Sequence, residues 1–235
     1  MQFLFRSLIL TLLLTSSYTS FAQKDTINVL FVGNSYTYYS DLPKIVSELS
    51  KSTVTYINTK MSAVGGARLK YHYNQEHGLK TKDLIKKGSF DIVVLQEQSM
   101  GTLTNKEEFL LYSKKLSDYI KEHGAEPYFF TTWSRKKTPQ TQNTITKVYK
   151  EAARINNGKA ILVGNIWAKA LKKHPELDLY VKDGSHPTLL GTFLTAFTFV
   201  KTITGEIPSK INDTKKLDLS NLQLCLDIVS ATKLK

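Results

Sequence analysis

Cysteine occurs once in the 235 residues, as Cys225. An intramolecular disulfide is therefore impossible, whatever the redox compartment. Its setting, LQLCLDIV, has core-like spacing, so Cys225 reads as a small buried apolar side chain. The chain also lacks a Gly-x-Ser-x-Gly elbow, which argues against the α/β-hydrolase fold. No glycine-rich phosphate loop is present either. There is no internal repeat, low-complexity tract or interdomain linker, so residues 23–235 read as one domain. Arginine is scarce. The formal charge of +12 comes mostly from lysines spread in pairs, such as Lys86-Lys87, Lys136-Lys137 and Lys172-Lys173. Nucleic-acid binders usually concentrate charge on one face, often as arginine with stacking aromatics. No nucleic-acid partner is therefore expected. The lysines read as a solvated surface, with attraction to an anionic polysaccharide or membrane face as the second meaning.

Long apolar runs are missing apart from the start of the chain. There Arg6 precedes a short apolar core, Leu8 to Leu14, and Ser20-Phe21-Ala22 places small residues at −3 and −1 of a cleavage site. This is the pattern of a secretory signal peptide over 1–22, and it implies an exported protein, periplasmic or secreted. The apolar core is short for a bilayer span, so no stable membrane insertion of the mature chain is expected. No cysteine near the cleavage site suggests a lipid anchor.

What is present is an alternation of strand and helix patterns. Ile27 to Val32 is a short apolar run that ends at Gly33-Asn34-Ser35, as a strand buried on both faces does. Asp41-Leu42-Pro43 then reads as a helix start, with Asp41 as cap. Further strands are expected over Thr53–Thr59, Asp91–Leu95, Pro127–Thr132 and Ala160–Val163, and helices between and after them. This order implies a mostly parallel five-stranded sheet in a three-layer α/β/α sandwich, with the strand-end loops on one edge.

Four of those loops carry suggestive polar groups: Ser35, Gly65-Gly66, Gln96-Glu97-Gln98-Ser99 and Thr132-Trp133-Ser134-Arg135. A fifth element, Asp183-Gly184-Ser185-His186-Pro187-Thr188, precedes an apolar helix. Its turn can fold so that the Asp183 carboxylate accepts the His186 Nδ1–H and leaves Nε2 aimed outward. A base held this way needs a nucleophile, and Ser35 lies at the same edge. The plainer meaning of each piece alone is a helix cap or a turn residue. His72 and His77 invite a metal reading. Their i, i+5 spacing does not put both rings on one helical face, so no metal or other cofactor is expected, and both are placed at the rim of the site. Trp133 and Arg135 are expected to line the substrate pocket, with Asn34 beside them; packing for Trp133 and solvation for Arg135 are the plainer alternatives.

Taken in order, GNSYT after the first strand, a glycine loop after the second, LQEQS after the third, TW near the fourth and DGSHP near the end resemble the SGNH, or GDSL-type, hydrolase superfamily. The likeness is to a poorly characterised bacterial branch and runs from about Ile27 to Val200. It implies the three-layer fold and metal-free esterase or lipase-type hydrolysis, with Ser35 as nucleophile and Asp183 and His186 as the acid–base pair. It also implies an oxyanion hole with three donors. The first maps to the Ser35 N–H, and the second to Gly65 or Gly66. The third, an Asn in the superfamily, maps to Gln98, or alternatively to Gln96. The usual Asp before the nucleophile is here Asn34.

The functional expectation is thus an exported serine hydrolase acting on carboxylic esters, with acetyl groups on carbohydrates favoured by the family and the address. A non-catalytic carbohydrate-binding protein on the same fold is the alternative.

Overall fold

The computed structural model describes residues 24–211 and 217–233. The expected signal peptide lies outside the described residues.

Strand β1 (Thr26–Gly33) leads into a four-residue helix α1 (Ser35–Tyr38) and then α2 (Leu42–Ser50). Strand β2 (Tyr56–Ala63) is followed by two short helices, α3 (Leu69–Asn74) and α4 (Thr81–Lys87), split at the positive-φ Gly78. Next come β3 (Ile92–Leu95), α5 (Gly101–Thr104), α6 (Lys106–Glu122), β4 (Glu126–Phe130), α7 (Gln142–Ile155) and β5 (Lys159–Ile161). Helices α8 (Val163–Lys173), α9 (Leu189–Thr204) and α10 (Leu219–Ser230) complete the described chain.

The five strands form one sheet in the order β2-β1-β3-β4-β5, and every pairing is parallel. The alternation along β1 explains the layers. Val29 and Phe31 face a core shared with α2, α8, α9 and α10, while Leu30 and Val32 face one shared with α3, α6 and α7. Both faces are covered, which is why the central strands are continuous apolar runs. Cys225 is free and fully buried in the first of these cores. No helix among the described residues is long and apolar enough to cross a membrane.

Two local expectations change. β2 begins at Tyr56 rather than Thr53, because the Thr53 hydroxyl turns back to the carbonyls of Ser50 and Thr55. The strand then runs through Met61-Ser62-Ala63, held in register by β1 along its whole length. Asp41 precedes α2, but it has φ 55° and its side chain makes no capping bond; Pro43 does sit in the first turn.

The strand order reverses between β1 and β3. Chain leaving β1 returns through α2 to β2 on one side, and chain leaving β3 goes on to β4 on the other. In open parallel sheets the crevice beyond such a reversal is where ligands bind. Ser35 follows β1 there, and Gln96–Ser99 follow β3.

Candidate active site

The turn that carries Ser35 is fixed from beneath. Asn34 is buried and engaged at every polar atom. Its Oδ1 accepts from the Tyr36 N–H at 3.1 Å, capping α1, and its Nδ2 donates to the Ala67 carbonyl at 2.9 Å. Its N–H donates to Gln96 Oε1 at 3.0 Å. Asn34 therefore joins the turn after β1 to the glycine turn after β2, and the expectation that it meets substrate is corrected to a positioning role. Gly33 has no room for a side chain, since an added Cβ would fall 2.3 Å from Thr37 Oγ1 and 2.4 Å from Gln96 Oε1. Ser35 stands in the first turn of α1, where helix geometry leaves N–H groups without an intrahelical acceptor.

His72 supports the same turn. It is fully buried, its Nε2 lies 2.9 Å from the Gly33 carbonyl and its Nδ1 lies 2.7 Å from the Thr81 hydroxyl. A carbonyl can only accept, so Nε2 carries the proton and Nδ1 accepts from Thr81. Burial pushes its pKa down to about 4, against the bond to Gly33. The expected place at the rim is thus corrected for His72, which is a satisfied core residue; His77 is exposed and sits edge-on to Tyr71.

The returning element is a tight turn. Asp183 Oδ1 accepts from the N–H groups of Ser185 (2.8 Å) and His186 (2.9 Å), and Gly184 takes φ 65°. Asp183 Oδ2 lies 2.5 Å from His186 Nδ1. Burial acts to raise the Asp183 pKa, but the hydrogen bonds from His186 and the two backbone N–H groups outweigh it and hold the carboxyl down to about 2. An ionised carboxylate only accepts, so Nδ1 carries the imidazole proton and Nε2 presents its lone pair. That lone pair meets the Ser35 hydroxyl at 2.8 Å. The chain of contacts Ser35–His186–Asp183 is therefore continuous, with donors and acceptors in one direction.

The two distant segments are clamped by aromatic side chains. Tyr36 stacks on Trp133 at 4.6 Å between centroids, and Trp133 stacks on Trp167 at 4.0 Å. Trp133 Nε1 donates to the Ser185 carbonyl at 2.9 Å, and the Tyr36 and Ser185 hydroxyls are 2.6 Å apart. Trp167 Nε1 donates to Thr195 on α9, which anchors the stack in the core. Trp133 is 1% exposed, so the expectation that it lines the substrate pocket is corrected: it braces the loop that carries His186. A cavity of about 370 Å³ lies against Trp133, Trp167 and Tyr180, but neither Ser35 nor His186 lines it. Burial pushes the Tyr36 hydroxyl's pKa up, with the hydroxyls of Ser185 and Ser99 and the charge of Arg135 pulling the other way. Tyr39 stacks on the His186 ring at 5.2 Å. It is followed by Ser40 and Asp41, both at positive φ, a strained corner beside the imidazole.

The glycine turn after β2 is closed by the Ala67 N–H donating to the Val64 carbonyl at 3.1 Å. Gly66 has φ 68°, the left-handed third position that favours glycine in such a turn. Of the two glutamines after β3, Gln96 is fully buried. Its Oε1 accepts from the Asn34 N–H and the Thr37 hydroxyl, and its Nε2 donates to the Glu97 carbonyl. With no exposed surface it cannot meet a ligand, so its candidacy for the oxyanion hole is corrected to a brace under Ser35. Gln98 is half-buried; its Oε1 accepts from the Met100 N–H, and its Nε2 donates to Ser99 Oγ at 3.3 Å, which leaves one amide hydrogen for a ligand. Arg135 is exposed, and its Nη2 donates to Ser99 Oγ at 3.1 Å. Tyr36, Tyr39 and Ser185 are the site residues that sequence reasoning passed over. Their signal was adjacency, since each lies within four residues of Ser35 or His186.

No family model matches the sequence, and no curated protein matches it. Solved structures do. A candidate SGNH hydrolase from Slackia heliotrinireducens is 25% identical, with a TM-score of 0.67 over 76% of this chain and 100% of that one. A DUF4886 family protein from Bacteroides uniformis is 16% identical, with a TM-score of 0.75 over 87% of this chain and 93% of that one. An acetyl xylan esterase is 16% identical, with a TM-score of 0.61 over 75% of this chain and 100% of that one. The three-layer architecture and these neighbours agree: the chain has the fold of the SGNH/GDSL-type hydrolases.

Proposed function

We propose that the protein is an exported serine hydrolase that cleaves carboxylic esters, with acetyl esters of carbohydrates as its substrates. One observation carries the reading: a hydroxyl, an imidazole and a carboxylate in hydrogen-bond sequence, Ser35 to His186 at 2.8 Å and His186 to Asp183 at 2.5 Å. Ser35 Oγ attacks the ester carbonyl carbon as its proton passes to His186 Nε2. The resulting oxyanion is held by the Ser35 N–H, an N–H of the Gly65-Gly66 turn and the Gln98 amide. His186 then gives its proton to the departing alcohol oxygen, and the acyl group stays on Ser35. Water, deprotonated by the same imidazole, releases the acid and restores the serine. Asp183 remains charged throughout and fixes the tautomer.

The carbohydrate preference is supported by the neighbouring acetyl xylan esterase and by the sequence pattern of an export signal. The test is a matched pair of assays. Ser35→Ala is expected to keep the fold by circular dichroism and to lose hydrolysis of p-nitrophenyl acetate and labelling by a fluorophosphonate. Wild-type protein is expected to release acetate from acetylated xylan. Wild-type turnover by Ser35→Ala sinks the nucleophile assignment. Glycan binding by a wild-type protein that neither labels nor turns over favours a carbohydrate-binding protein instead.

A further inference from the structure

We infer that the esters accepted here carry an anionic group close to the scissile bond, and that Arg135 reads it. The inference rests on the esterase reading above and narrows its substrate class. Arg135 follows β4 by five residues, in a loop held on both sides of it against the Asp183–His186 turn. On one side Trp133 Nε1 donates to the Ser185 carbonyl at 2.9 Å; on the other the Lys136 N–H donates to the Gly184 carbonyl at 2.8 Å. The Arg135 backbone is thereby fixed beside the returning turn. Its side chain then reaches the loop after β3, where Nη2 donates to Ser99 at 3.1 Å. Ser99 adjoins Gln98, and the Ser99 hydroxyl and the Arg135 charge both act to lower the Tyr36 hydroxyl's pKa. Tyr36 follows Ser35 directly, and its ring meets the His186 ring edge-on at 5.6 Å. The guanidinium is thus held at the mouth of the site by a neutral hydroxyl.

Among the described residues no carboxylate lies within 4.0 Å of it. Among the described residues, the lysine and arginine ion pairs within 4.0 Å involve Lys51, Arg68, Lys70, Lys106, Lys114 and Lys159, not Arg135. The carboxylate of the turn, Asp183, is engaged by His186 and by two backbone N–H groups. A guanidinium has five N–H donors in a planar fork that matches a carboxylate. Among the described residues Arg135 makes one contact to a protein acceptor, so the rest of the fork is left for a ligand oxyanion. Lys136 and Lys137 on the same exposed loop add positive potential without fixed geometry. The substrate class that fits is an ester on an acidic scaffold, such as an acetylated uronate.

The experiment compares two probes of like shape, 4-acetoxybenzoate and 4-acetoxybenzamide, and reads the ratio of their kcat/KM values, each divided by that probe's own rate of hydrolysis by hydroxide so that the difference in leaving-group reactivity is removed. A general loss of activity cancels in that ratio. Wild type is expected to prefer the benzoate by roughly tenfold, the size of one charge-assisted contact at an open site. Arg135→Gln is expected to bring the ratio close to one, mainly through KM, and Arg135→Lys to retain part of it. Lys137→Gln, on the same loop but away from Ser99, is expected to keep the preference within about twofold. Turnover of both probes by wild type without a preference overturns the inference and leaves the esterase reading standing. So does a preference that survives Arg135→Gln, or one that Lys137→Gln removes equally. No turnover of either probe removes the esterase reading and this inference together.

Discussion

Tyr36 and Ser185 share a 2.6 Å hydrogen bond across 149 residues of chain, each next to one member of the Ser35–His186 pair. The bond closes the site one residue away from its chemistry. Tyr36→Phe removes it and keeps the ring that stacks on Trp133. The expected stability loss is about 1 kcal/mol, the ordinary net value of one such bond. The expected loss in kcat is larger in proportion, roughly tenfold, because small displacements of reacting groups are costly. KM is expected to stay within twofold. Steady-state kinetics on p-nitrophenyl acetate beside urea unfolding separates the two, and an unchanged kcat removes Tyr36 from the positioning role.

Asp183 is expected to act on turnover through the tautomer of His186. In Asp183→Asn the amide can donate to Nδ1, which drives the proton to Nε2 and takes away the base. Turnover is expected to fall about 10⁴-fold, as in other triads losing this charge. The wild-type carboxyl, held near 2, adds stability that is present above its unfolded value of 3.8 and is lost as pH falls through about 2. Asp183 therefore stays charged at and around neutral pH. An acid limb of kcat that disappears in Asp183→Asn while turnover remains high would contradict this.

The sequence made the sheet and the ends of its strands legible because both signals are local. An apolar run closed by Gly33-Asn34-Ser35 marks a buried strand and its carboxyl end, and Asp183-Gly184-Ser185-His186 is a turn that can be read without its neighbours. What it hid were partners chosen across the chain. Gln96 and Gln98 are chemically the same residue two positions apart. Only the structure shows that the first is fully buried beneath Asn34 and Thr37 while the second is half-buried. Trp133 sits in a polar loop, yet stacking between Tyr36 and Trp167 buries it. His72 looked like a rim residue because nothing in its helix announces the Gly33 carbonyl above it.

His72 also shapes the pH dependence of stability. Its folded pKa is lowered to about 4 from 6.5 by burial. Below 6.5 the unfolded chain takes up a proton that the native ring refuses, so stability falls as pH drops from about 6.5 to about 4. The full contribution is about 3 kcal/mol. Chemical unfolding of wild type and His72→Gln across this window checks it. The difference between the two proteins is expected to tilt in favour of wild type as pH rises, and a level difference contradicts the assignment.

Glu97 opposes that slope from the next strand-end loop. Its side chain is buried, with Oε2 accepting from the Leu69 N–H at 3.0 Å and Oε1 from the Gln98 N–H at 2.9 Å. It therefore ties the start of α3, just past the glycine turn, to the segment bearing Gln98. Burial pushes its pKa up to about 7, against those two bonds. From about 4.5 to about 7 the unfolded chain ionises while the native carboxyl keeps its proton, so stability falls as pH rises, again by about 3 kcal/mol in full. In wild type the two groups offset each other between about 4.5 and 6.5, and a nearly level curve is expected there. Glu97→Gln leaves the His72 slope exposed, and His72→Gln leaves the Glu97 slope exposed. The two variants should tilt in opposite directions. Glu97→Gln should also lose about 1–3 kcal/mol at its best pH, because its amide nitrogen faces one of two buried N–H donors. Parallel curves for the two variants would show that neither side chain titrates as its surroundings require.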